Sequence, residues 1–176
     1  SPIKILTVGI NPSDVEFKDD RGNLDLDFRF PGSTAIDPCK VNPQEYADVL
    51  NGYFKSFNHP YKWFDRSEAA LNGLGASYYD GEEIRAIHID IRTPVATAQK
   101  WRKIGDKTVF EDGIKLFKNL VDELQPDIMI MPLGFEHIKM AWPEKLTWQP
   151  IGDGGLKTTK IKVGSKDCTL IKADNS

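Results

Sequence analysis

Few side chains in this sequence combine chemical capability with a position that could expose it. Asn11 is the first. It sits in Gly9-Ile10-Asn11-Pro12-Ser13, directly after an apolar run from Ile3 to Val8. A carboxamide is neither a strong base nor a nucleophile. It can hold a water, or read a planar amide through a paired donor and acceptor. Such a group suits a reaction whose leaving group departs largely by itself. Asp90, at the end of Arg85-Ala-Ile-His-Ile-Asp-Ile91, is the acid of most interest. His88 in the same segment could act as a base, but a histidine inside a strand is more often a neutral core residue. His137 stands on a polar background and reads as a surface residue. Cys39 and Cys168 are too few for a disulfide framework or a thiolate zinc site, and read as reduced thiols. The sequence has no glycine-rich phosphate loop with a lysine, no GxGxxG, no metal-ligand cluster and no telling Ser-His-Asp set. No cofactor and no metal are expected.

The elements that must position these residues follow from apolar patterning. A continuous apolar run predicts a strand buried on both faces, as in a parallel α/β sheet. Gly9 permits a tight turn or close backbone approach, and Pro12 stiffens the chain after it. The loop is then either an ordinary βα turn, where Gly, Asn, Pro and Ser are common, or a ligand loop at a strand's carboxyl end. Asp14 to Asp27 is an acidic surface excursion. Phe28-Arg-Phe30-Pro-Gly follows, its aromatics either packing on the core or walling a pocket. Asn42-Pro43 starts a helix carrying Tyr46, Val49, Leu50, Tyr53, Phe54 and Phe57 at helical spacing. A second helix spans Trp63 to Leu74, with Gly75 as its cap.

Arg85 to Ile91 is the next strand. Ala96 to Lys107 holds Trp101 among Lys100, Arg102, Lys103 and Lys107, and is either a solvated loop or a phosphate-facing patch. Thr108 opens an amphipathic helix with Phe110, Ile114, Phe117, Leu120, Val121 and Leu124, stopped by Pro126. Asp127 to Met131 is a third strand, and Phe135 to Trp142 a short helix. Thr158 to Val163 and Cys168 to Ala173 form a strand pair about Gly164-Ser165. The alternation predicts an α/β fold with a central, mostly parallel sheet flanked by helices in three layers.

The 176 residues suffice for a single domain, 1–176, with a sizeable core. No apolar stretch approaches the ~20 residues of a membrane helix, and no signal peptide is visible. An intracellular location and a monomeric state are expected. The net charge of -3 argues against a generally basic nucleic-acid binder but leaves room for a local basic patch. The chain begins at Ser1 and ends just past a strand, so the natural C-terminus is expected to extend further.

On Gly9-Ile10-Asn11-Pro12-Ser13, the sequence resembles the uracil-DNA glycosylase superfamily, above all its mismatch-specific uracil and thymine branch, with the single-strand-selective branch nearby. Phe28-Arg-Phe30-Pro is similar to that branch's pocket segment, and Ile89-Asp-Ile-Arg92-Thr93-Pro94 to its strand-end segment. Leu133-Gly134 and Asn175-Ser176 fall where the family has counterparts. Three departures stand out. Ser13 replaces the usual glycine, Arg29 stands for a proline, and no proline follows Asn175.

The resemblance implies an enzyme that hydrolyses the N-glycosidic bond of a flipped, modified base in single- or double-stranded DNA. It implies that Asn11 orients the water, and that Gly9, Ile10, Pro12, Ser13, Phe30 and Asp90 surround the base. It further implies that Arg92, Thr93, Asn175 and Ser176 meet DNA. Two other classes stay open. One is a catalytically silent member that binds nucleic acid or protein through the same surface. The other is a small-molecule α/β enzyme with Asp90 as its acid.

Overall fold

The computed structural model of the chain describes residues 3–13, 18, 21–23, 42–56, 62–79, 84–92 and 108–173. Two compact units are distinguished: Ser1–Pro12 together with Glu83–Ser176, and Ser13–Glu82.

The first unit is built on β1 (Ile5–Gly9), whose five residues are all buried, as a mainly apolar run predicts. The second unit contains helices α1 (Pro43–Ser56) and α2 (Lys62–Asn72) and the two-residue strand β2 (Ala76–Ser77). The predicted cap of α1 is in place, with the Gln44 N–H donating to Asn42 Oδ1 at 3.0 Å. Gly75, predicted to close α2, adopts φ +66°.

Returning to the first unit, β3 (Ile84–Asp90) is followed by α3 (Thr108–Leu124), β4 (Ile128–Ile130) and α4 (Phe135–Ala141). Then come β5 (Gln149–Ile151), β6 (Leu156–Val163) and β7 (Lys166–Ala173). Within this unit the strands lie in the order β3-β1-β4-β7-β6-β5. β3, β1, β4 and β7 are parallel, while β6 runs antiparallel to β7 and β5 antiparallel to β6. The molecule therefore has the α/β class and the mostly parallel sheet that the patterning predicts. β5 is an addition; three half-polar residues are too short a run to announce a strand.

Alternation along the strands sorts the two faces. Leu6 and Val8 join Met129, Leu170 and Cys168 on one face, covered by Phe117 and Val121 of α3 and by Ile138 and Ala141 of α4. Phe117 meets Trp142 edge-on, with ring centroids 5.8 Å apart. Leu120, predicted for the inward stripe of α3, is instead 38% exposed beside Leu116. The buried line of that helix runs through Phe110, Phe117 and Val121, and Leu116 and Leu120 form a ridge on its flank. Thr7 and Gly9 point to the opposite face of the sheet, in register with His88 and Asp90.

The order β3-β1-β4 has a consequence for function. From β1 the chain leads to β3 on one side; from β4 it leads on to β7 on the other. The crevice outside the carboxyl ends of β1 and β4 is thus a topological switch point, the place where open α/β sheets receive ligands.

Candidate functional site

The loop after β1 opens onto that crevice. Two backbone hydrogen bonds fix its first residues to the neighbouring strand: Ile91 N–H donates to Gly9 O at 3.0 Å, and Arg92 N–H to Ile10 O at 2.9 Å. Gly9 is buried, Ile10 packs against the core from a half-buried position, and Pro12 is buried. Asn11 is half-buried, and its Nδ2 donates to the Pro12 carbonyl at 2.9 Å. That bond orients the carboxamide. Ser13, also half-buried, is the first residue of the second unit.

Asp90 ends β3 opposite Gly9, at the same level of the sheet. A Cβ at residue 9 would run into Asp90 Oδ1 and lie 3.0 Å from His88 Cε1. Gly9 thus leaves the space that the Asp90 carboxylate takes up; a side chain there would push the carboxylate aside. His88 lies between two partners. Thr7 Oγ1 is 3.0 Å from its Nδ1, and Asp90 Oδ1 is 3.6 Å from its Nε2. The second distance is an electrostatic contact rather than a formed hydrogen bond. The His88 and Asp90 side chains are 13% and 12% exposed. Sequence reasoning passed over Thr7, although it is the one hydroxyl in the Ile5–Val8 run and that oddity was a readable signal.

Arg92 is 5% exposed. A contact with a DNA phosphate would need an exposed guanidinium, and this one is turned into the protein. Its Nε donates to His137 Nδ1 at 3.3 Å, and its Cζ lies 5.3 Å from the Phe110 ring centroid. Burial lowers its pKa, partly offset by the charge of Glu136. His137 is accordingly not a surface residue: it is 2% exposed. On α4 it shares the inward face with Ile138 and Ala141, and Arg92 supplies its polar partner. Glu136 Oε1 stands 3.8 Å from its other nitrogen. The Arg92 backbone holds the Asn11 loop while its side chain is anchored between α3 and α4, so this network braces the loop from behind.

Phe30, Thr93, Asn175, Ser176 and Cys39 lie outside the described residues, as does the Trp101 segment. Cys168 is buried, which pushes its thiol up to about 12 and leaves it unreactive. No group of three or more His, Cys, Asp or Glu suited to a metal occurs among the described residues. No helix among them is long and apolar enough to cross a membrane. An apolar pocket of about 310 Å³ lies at the other end of the sheet, lined by Ile3, Ile5, Ile84, Ile87 and Leu124 among others. It is remote from these polar groups.

Comparison with protein-family models, with curated proteins and with solved structures found no match.

Proposed function

We propose that the chain is a DNA N-glycosylase, hydrolysing the bond between deoxyribose and a flipped uracil or other modified base. One observation carries this reading: Asn11, in Gly-Ile-Asn-Pro-Ser, follows β1 at the switch point of the parallel sheet, two residues after Gly9, whose register partner is Asp90. In the proposed reaction Asn11 Oδ1 accepts a hydrogen bond from the attacking water and orients it toward the sugar carbon. Gly9 and Ile10 offer backbone to the base or its departing anion, with fixed dipoles meeting developing charge. Pro12 and Ser13 border the base, and Phe30 stacks on it. Thr93, Asn175 and Ser176 meet the DNA. A three-layer arrangement of the uracil-DNA glycosylase type belongs to the same proposal.

Arg92 is given a structural part, holding the loop through Ile10. The reading is tested by incubating the protein with labelled single- and double-stranded oligonucleotides containing uracil, hypoxanthine or a modified pyrimidine. Strand breaks at abasic sites after alkali are expected with at least one of them. Tight, steeply salt-dependent binding without any abasic product would make the protein a nucleic-acid-binding module instead.

A further inference from the structure

Orienting a water is only half of a hydrolysis, because the proton that water loses must go somewhere. Asn11 cannot take it. We infer that Asp90 is the proton acceptor of this site, held in position by His88 and Thr7; the inference rests on the glycosylase reading.

Three observations on one face of the sheet support this assignment. Asp90 is the register partner of Gly9, and Asn11 follows two residues later, at most about 7 Å of extended chain away. The carboxylate leans over Gly9, where any side chain would displace it. Behind it stand the His88 ring at 3.6 Å and, 3.0 Å beyond the ring's other nitrogen, the Thr7 hydroxyl. Thr7 is fully buried in the central strand, so the series Thr7-His88-Asp90 is fixed at its far end by the most rigid part of the fold. A packed series of this kind holds a carboxylate in one orientation, as a positioned general base requires.

The water oxygen bonds to C1′ as the C1′–N bond breaks. The electron pair of that bond leaves with the base, and the water's proton passes to the Asp90 carboxylate. That proton then returns to solvent or to the departed base anion. Asp90 is catalytic in this scheme, while His88 and Thr7 are positioning residues.

The test is single-turnover excision from whichever oligonucleotide the native protein cleaves, with melting temperatures recorded for every variant. Asp90→Ala is expected to slow excision at least about 100-fold while DNA affinity stays within about twofold. Added formate, against chloride at equal concentration, is expected to restore the rate by roughly tenfold, because a free carboxylate fills the place of the lost one. A residue with a merely structural role would show no such rescue. His88→Ala should slow excision about tenfold, and His88→Gln, which keeps a polar side chain between Thr7 and Asp90, should recover most of that loss. Excision by the isosteric Asp90→Asn within about twofold of native would overturn the assignment of Asp90 and leave the glycosylase reading standing. A native protein that cleaves no probe overturns that reading, and this proposal with it.

Discussion

The two ends of the parallel sheet handle polar groups in opposite ways. At the amino end, Asp127 collects partners that close the strand starts. Lys4 N–H donates to its Oδ2 at 2.8 Å, and Lys166 Nζ lies 2.6 Å from its Oδ1. The same two lysines reach the end of α3 and the residue after it, with Lys4 Nζ donating to Leu124 O and Lys166 Nζ to Gln125 O. These groups are partly solvated and fully explained by holding the structure together. Toward the carboxyl end, a hydroxyl, an imidazole and a carboxylate line one face of β1 and β3, an amide follows in the loop after β1, and the Arg92 guanidinium is buried against α3 and α4. Burying such groups contributes little net stability even when they are paired. The first arrangement is architecture; the second is the one proposed above as the setting of a reaction.

The contrast can be broken by substitution. Removing Arg92 is expected to have the largest effect on folding. Arg92→Ala leaves a buried acceptor on His137 and a void against Phe110, and should lower stability by about 2–3 kcal/mol in denaturant unfolding. If Arg92 served chiefly to contact DNA, the same variant would unfold like native and lose only affinity. Gly9→Ala comes next. Its Cβ meets the Asp90 carboxylate and the His88 ring, an overpacking expected to lower stability by about 1–3 kcal/mol and to reduce excision as well. A variant with native stability and activity would show that Asp90 does not lean over this position.

At the amino end the effect is smaller and depends on pH. The hydrogen bond from Lys166 and the Lys4 backbone N–H hold the Asp127 carboxyl below its ordinary value of 3.8. A depressed pKa adds stability that is fully present above that ordinary value and lost as pH falls through the lowered one. Asp127→Asn should therefore lower stability by roughly 1–2 kcal/mol at neutral pH. The gap to native should close as pH drops below the ordinary value. A gap unchanged by pH would mean that packing, rather than charge, is what the substitution disturbs.

How much of this was legible in the sequence differs between the same two ends. The Asn11 loop could be placed because an apolar run stops at a glycine, and Asp90 because it ends the next such run. Both are local signals. The Arg92–His137 contact could not be read, since it joins residues 45 apart and depends on how α4 turns its short inward face toward the end of β3. A lone histidine in a polar stretch looks like surface until that turn is known. The partners of Asp127 were hidden for the same reason: Lys4 is 123 residues away in sequence. Thr7 differs: the lone hydroxyl of a buried strand stands out in the sequence, but only the register shows that it meets His88.

The measurement closest to the central claim compares native protein with Asn11→Ala in single-turnover base excision, with DNA affinity measured alongside. Excision is expected to fall at least about 100-fold while affinity stays near native and melting temperature drops by no more than the loss of one loop hydrogen bond explains. Cleavage by the native protein that persists unchanged without the Asn11 carboxamide would contradict it.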